Sequence, residues 1–279
     1  MDIRKMTPED IPFAVGITDK EGWGYVEEDF VKILEMEPKG CFVAHARDEK
    51  VGMLTTINYG RTAWIGNVVV KSERRNQNIG SELISHAVDY LRSESVESIG
   101  LYSYLDAISF YEAIGFEQSF RVGRFSGPGR KSGGSGMRKF VVGVLPAMVS
   151  FDQKYFPGDR TTLLSMFAKN DPDLMFWAGN GEVRGYIAGF CSPKACEIGP
   201  WVCDPGSPDL AESLLLDCFS ALGDKEKSLA VPMENGTAVE MVNKNGLTKE
   251  LEVVAMFFES DKSFMDHDGI FGVGSLEMG

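Results

Sequence analysis

Positive charge is what this sequence has too little of. Its 28 lysines and arginines face 41 aspartates and glutamates, leaving a formal net charge of -13. That balance excludes a general nucleic-acid binder, because a phosphate backbone demands a basic surface. It is compatible with a cationic small substrate, although acidic balances are common among soluble proteins. Histidine is scarce at three residues and cysteine at five. Cys191, Cys196 and Cys203 lie near one another in the chain. A four-coordinate structural zinc site needs a fourth ligand that does not accompany them, so no metal is expected. Scattered cysteines in odd number, behind an N-terminal MDIRKMTPED with no apolar segment, predict reduced thiols in a cytoplasmic protein. Long hydrophobic runs are also missing. The longest, around Phe140 to Val149, contains Gly143 and Pro146 and is far too short to span a bilayer. Neither a membrane nor a nucleic acid is an expected partner.

A hydrophobic content of 43% and a charged content of 25% over 279 residues suit two globular domains of about 100 to 150 residues each. FSGPGRKSGGSGM, Phe125 to Met137, has no apolar periodicity and reads as a loop or linker. The halves on either side resemble each other. With a constant offset of 133 residues, GCFVAHARDEKVGML (Gly40 to Leu54) lies over DLMFWAGNGEVRGYI (Asp173 to Ile187), and WIGNVVV (Trp64 to Val70) over EIGPWVC (Glu197 to Cys203). With an offset of 131, AISFYEAIGF (Ala107 to Phe116) lies over AVEMVNKNGL (Ala238 to Leu247). Three segments in one order with nearly one offset indicate an internal duplication; the alternative is two unrelated halves that share a strand and helix rhythm. The division puts a first domain at 1–127, a linker at 128–137 and a second domain at 138–279.

Hydrophobic period and chain breakers give the elements of the first half. A strand at Ile3–Met6 meets Thr7 as cap and Pro8 at the start of a helix. A second helix covers Glu27–Met36, and strands follow at Cys41–Arg47, Val51–Asn58 and Ala63–Val70. A helix from Gly80 to Ser93, a strand at Ser98–Tyr104, a short helix at Asp106–Ile114 and a strand after Phe116 complete an α+β domain.

One loop stands out in this acidic chain. In VVVKSERRNQNIGSELI, Val68 to Ile84, a β-branched strand runs into adjacent arginines and then a helix. The stripe Ile79, Leu83, Ile84, Ala87, Val88 and Leu91 packs that helix on the sheet, so its first turn sits at the end of the Val68–Val70 strand. Free amides there carry the positive end of the helix dipole. Gly80 allows close backbone approach, and Asn76 and Asn78 tolerate left-handed conformations. Arg74 and Arg75 offer forked donors for phosphate oxygens. These features favour an anion and suit a diphosphate; a plain turn with solvated arginines is the other reading. Neither a P-loop nor a G-x-G-x-x-G turn is present.

RRNQNIGSELI resembles the Q/R-x-x-G-x-G/A loop of the GNAT superfamily of N-acetyltransferases, with Arg75 at the first motif position, Gly80 at the last and Asn78 in place of the middle glycine. DAISFYEAIGF, Asp106 to Phe116, is similar to that family's N-x-x-A-x-x-F-Y-x-x-x-G-F segment. The resemblance implies two GNAT-like domains, each a central mixed, mostly antiparallel sheet flanked by helices. It implies acetyl-CoA as co-substrate, its pyrophosphate on Arg75, Asn76, Gln77, Asn78, Ile79, Gly80 and Ser81. Its pantetheine arm would follow Val68, Val69 and Val70, with Asp106 nearby and Tyr111 as general acid.

The second half looks like a degenerate copy. Aligned on its helix, Arg75 falls on Gly206, Asn78 on Asp209, Gly80 on Ala211 and Tyr111 on Val242, so cations and phenol are lost there. EGWG at Glu21 and FDQKYFPGDR at Phe151 are loosely similar to elements of tandem members of the family. The whole chain is thus expected to acetylate a small amine or a peptide amine, with the second domain shaping the acceptor side. Glu21, Trp23, Tyr25, Asn67 and Tyr102 are the expected acceptor contacts, backed by Trp64 and Tyr104. Members of the family often carry a Glu where this sequence has Asn67, which leaves the general base open among Glu21, His45 and Asp106. A non-catalytic acyl-CoA sensor with the same fold is the competing class.

Overall fold

The computed structural model describes residues 1–130, 137–192, 196–259 and 265–279; residues 131–136 of the expected linker lie outside the described residues. The first half runs β1 (Asp2–Lys5), α1 (Ile11–Lys20), α2 (Glu27–Met36), β2 (Phe42–Ala46), β3 (Glu49–Asn58), β4 (Thr62–Val70), α3 (Ile79–Ser93), β5 (Ser98–Tyr104), α4 (Ile108–Glu112) and β6 (Phe116–Gly127). The second repeats it as β7 (Arg138–Lys139), α5 (Leu145–Asp152), α6 (Thr161–Asn170), β8 (Phe176–Ala178), β9 (Gly185–Cys191), β10 (Cys196–Cys203), α7 (Pro208–Leu222), β11 (Lys227–Pro232), α8 (Gly236–Lys244) and β12 (Thr248–Phe258). A last short strand, β13 (Ile270–Gly272), has no counterpart in the first half. The α+β fold of two similar halves is as the sequence predicts.

Among the described residues thirteen strands join one sheet, in the order β1-β2-β3-β4-β5-β12-β6-β11-β10-β9-β8-β7, with β13 against β10. This order is a palindrome about the antiparallel β12–β6 pair. Each half therefore completes its sheet with the last strand of the other: β12 pairs with β5, and β6 with β11. The two halves of the chain are therefore not separate across the sheet. Among the described residues only β4–β5 and β10–β11 are parallel pairs.

Three cores hold this sheet. One lies under α3, with Leu83, Ile84 and Leu91 against Phe42, Leu54 and Leu101. Its mirror lies under α7 and α8, with Leu214, Leu215 and Val242 against Ile198 and Trp201. The third is shared: α1 and α2 meet α5 and α6 over a common layer that includes Phe30, Ile33, Met148, Leu163 and Phe167. FDQKYFPGDR works here as a clip. Fully buried Arg160 bonds to Asp152, Nε to Oδ2 at 2.9 Å, and lies over the Phe156 ring. The turn between them packs Gly158 on Tyr59, and the Asp159 amide donates to the Tyr59 carbonyl at 2.8 Å.

One expectation is corrected. The cysteines are not all free, because Cys191 and Cys196 form a disulfide that joins the end of β9 to the start of β10, while Cys41, Cys203 and Cys218 are buried thiols. Adjacent antiparallel strands bring Cys191 opposite Cys196; the linear sequence shows only two cysteines five apart. No group of three or more potential metal ligands occurs among the described residues, and no described helix is long and apolar enough to cross a membrane.

Candidate active site

The parallel pairing of β4 with β5 runs from Thr62–Ser98 to Ile65–Leu101 and stops. Past that point β4 stays with β3 while β5 stays with β12. The β3–β4 register shifts just there, between Met53 and Thr55, and Asn67 takes φ 51°. Its side-chain amide donates to Thr55 Oγ1 at 3.2 Å. A bulge bends a strand and interrupts its ladder, so Val68–Val70 are left without a partner on the β5 side. The wedge opens into a cavity of about 990 Å³.

One end of the cavity is the arginine loop. Asn76 and Asn78 both sit at φ 62°, a left-handed conformation that asparagine adopts more readily than most residues. Asn78 makes no side-chain cap on α3, which leaves first-turn amides available to a ligand. A Cβ on Gly80 would stand 3.1 Å from Phe110 Cζ, so glycine lets α4 close against that turn. The Arg75 guanidinium donates to the Val70 carbonyl at 3.1 Å and pairs with Glu21, joining the loop to the α1–α2 connection. Arg74 also lines the cavity and is paired with Glu49 at 2.6 Å, which Lys71 holds at 2.8 Å.

Of the residues expected to hold the cofactor, Val68, Val69 and Val70 line the cavity with Arg75, Asn76, Asn78, Ile79, Gly80, Ser81 and Asp106. Gln77 is exposed and stays outside the lining. Tyr111 reaches the cavity from α4, packed edge-on to Phe110 and Phe116. Burial pushes its phenol well above the ordinary value, so it stands as a protonated donor. All five expected acceptor contacts, Glu21, Trp23, Tyr25, Asn67 and Tyr102, line the same space. Trp64 is core instead, stacked on Tyr102 at 4.5 Å. As for a base, Glu21 is tied to Arg75, Asp106 is exposed, and His45 is paired with β1, away from the lining.

The second half supplies the opposite end, with Phe167 from α6, Phe190 from β9, Glu197 from β10 and Leu276, Glu277 and Met278 from the tail. Arg124 of β6 and Asp29 and Lys32 of α2 also line the cavity. Sequence reasoning missed all of these. A charged Glu197 inside the apolar strand CEIGPWVC was a usable signal; Glu277 in a short tail gave none.

The equivalent wedge in the second half is filled. β10 pairs with β11 over Cys196–Ile198 and then with β13, while the Val273 amide donates to the Ala230 carbonyl of β11 at 2.9 Å. The connection after β10 is also short: Asp204–Ser207 stands where the first half has Lys71–Asn78. The buried stripes of the two helices superpose, with Leu83, Ile84, Ala87, Val88 and Leu91 falling on Leu214, Leu215, Cys218, Phe219 and Leu222, which keeps Gly206 opposite Arg75 and Ala211 opposite Gly80, as the sequence alignment has it. Asp204 is bonded to Arg184 at 2.7 Å, and Arg184 also donates to Ser207.

Residues 11–116 match the Acetyltransferase (GNAT) family, and residues 148–272 match an Acetyltransferase (GNAT) domain. The chain belongs to the GNAT superfamily, as a tandem GNAT protein. Its fold is similar to that of a Pyrococcus horikoshii protein assigned as an acetyltransferase, with a TM-score of 0.84 and 26% identity over 100% of this chain and 95% of that one. It is also similar to a GCN5-related N-acetyltransferase of Sphaerobacter thermophilus, with a TM-score of 0.69 and 18% identity over 95% and 97%. A tandem GNAT protein from the clavulanic acid biosynthesis pathway aligns with a TM-score of 0.66 and 14% identity over 92% and 97%. No curated protein matches the sequence.

Proposed function

We propose that this tandem GNAT protein is an acetyl-CoA-dependent N-acetyltransferase whose first half binds the co-substrate and whose acceptor, a small-molecule or peptide amine, enters from the side covered by the second half. The observation that carries the reading is the open β4–β5 wedge ending on an arginine loop with uncapped amides. Acetyl-CoA supplies an activated acetyl thioester. The first turn of α3 and Arg75 would take its diphosphate. Asp106 and Ser81 flank that site at the ends of β5 and α3. The β4 edge at Val68–Val70 would offer amide donors to the thioester carbonyl. Tyr111 is the general acid for the leaving thiolate, its phenol kept protonated by burial and exposed to the wedge.

The test is transfer itself. The full chain is mixed with acetyl-CoA and a panel of primary amines, and free thiol is followed with product mass. Replacing Tyr111 by Phe should lower kcat by about 10²-fold or more, the usual worth of a positioned acid, with little change in KM for acetyl-CoA. Tight binding of acetyl-CoA with no acetyl product from any amine would favour a sensor with this fold.

A further inference from the structure

Among the carboxylates lining the cavity that the cofactor reading does not use are Glu277 and Glu197. Glu277 comes from the tail that follows β13. A Cβ added to Gly66 would lie 2.8 Å from Glu277 Cβ, so this glutamate rests on the β4 bulge beside Asn67, where the strand itself offers no carboxylate. The tail is fixed in place. The Tyr59 hydroxyl donates to the Met278 carbonyl at 2.7 Å, and the Gly279 amide donates back to Ser275 at 3.1 Å. Glu277 is 8% exposed and lines the cavity together with Tyr25. Glu197 faces the same space from β10, close enough that burial and the Glu277 charge together raise its carboxyl above the usual range.

Tyr102 lines the same cavity with its ring, while its hydroxyl is buried in the core and has no hydrogen-bond partner among the described residues. Around these groups Phe167 and Phe190, stacked at 5.6 Å, and Leu276 give the wall an apolar and aromatic part, with Lys32 over the Phe190 ring and Arg124 and Asp29 also in the lining. Glu197, Glu277 and Asp29 outnumber Arg124 and Lys32 among the charged side chains that line this part of the cavity, a balance that favours one ammonium.

Resting on the acetyltransferase reading above, we infer that Glu277, with Glu197 beside it, binds the acceptor's ammonium group and takes its proton, and that the acceptor is a primary monoamine with an apolar body. The proton passes from the ammonium nitrogen to the Glu277 carboxylate and then to solvent. The freed lone pair forms the C–N bond to the acetyl carbon as the C–S bond breaks, its electron pair leaving on sulfur. Tyr111 gives that sulfur a proton and recovers one from the newly acylated nitrogen. The products are a neutral amide and a thiol, with one proton released. A base lent by the second half explains how β4 can carry Asn67.

Calorimetry on the full chain tests this with phenethylamine as probe, alone and with CoA present, and with phenethyl alcohol and phenylacetate as neutral and anionic controls. Phenethylamine should bind at millimolar concentration or better and the two controls at least tenfold more weakly. Glu277→Gln and Glu197→Gln should each weaken the amine at least tenfold while acetyl-CoA binding changes less than about twofold. With phenethylamine as acceptor, Glu277→Gln should also cut kcat at least a hundredfold, and Glu277→Asp should restore part of it. Absence of amine binding to the wild type, equal binding of the alcohol, or an unchanged affinity in Glu277→Gln would overturn the assignment. Amine binding without acetyl-CoA binding would uphold the carboxylate site and sink the cofactor reading instead.

Discussion

The β4–β5 and β10–β11 wedges are the same device put to opposite uses. In each a parallel pair begins side by side and parts halfway along. In the first half the gap stays open, walled by Val68–Val70 and closed at its far end by a cationic loop. In the second half β13 is threaded into the gap, and Ile270, Phe271 and Val273 are no more than 1% exposed. Burying such side chains is worth about 1.5–3 kcal/mol each, so β13 is a permanent part of the core and not a lid. The loop follows suit: shortened to Asp204–Ser207, it spends its charge on Arg184. One copy kept a ligand site. The other turned the same geometry into packing and lends side chains to its neighbour.

The largest effect should come from breaking the filled wedge. Phe271→Ala removes a ring packed at 5.0 Å on Trp201 and should cost about 3–5 kcal/mol in urea unfolding; no second acetyl-CoA site should appear. Next is the open wedge. Arg75→Glu should weaken acetyl-CoA about 10- to 100-fold, the loss of one charge-assisted bond of about 1.5–3 kcal/mol. Arg184→Glu, the matched change in the second half, should leave that affinity alone.

A pH experiment separates stabilising from functional carboxylates. In the first half burial alone would raise Asp10, but bonds from Arg4 and Lys50 outweigh it and hold it far below the usual range. Its stability contribution is present above about pH 4 and lost on acidification below that. At the acceptor end Glu197 and Glu277 are raised by burial, facing each other with Asp29, Tyr25 and Arg124 around them. The folded state then binds protons more tightly than the unfolded chain, so stability falls as pH rises above about 4.3 toward the raised values. Glu197→Gln should therefore raise Tm by about 2–4 °C at pH 9, roughly 1 kcal/mol for a chain of this size, and by less at pH 5. A residue whose removal stabilises the fold is kept for another reason. The smallest effect should follow reduction of Cys191–Cys196. So short a loop is worth about 2 kcal/mol, read as a modest drop in Tm with no loss of acetyl-CoA affinity.

Local signals carried much of this structure. Glu27–Met36 and Ser98–Tyr104 were legible to the residue, because a stripe of apolar positions and the flanking breakers fix both. The loop was legible through Asn76, Asn78 and Gly80, whose backbone preferences belong to the residue types themselves. What was hidden is long-range. Nothing in the alternation of Phe116–Gly127 or Thr248–Phe258 says which sheet each strand will complete. β13 is three residues long, below any periodic window. Glu277 becomes part of a site only because the tail crosses back to Gly66 and Tyr59.

The central claim is one co-substrate site per chain, in the open wedge. Isothermal titration of the full chain with acetyl-CoA tests it most directly. One molecule bound per chain, abolished or greatly weakened by Arg75→Glu and untouched by Arg184→Glu, is the predicted result. Two molecules per chain, or binding that survives Arg75→Glu unchanged, would contradict it.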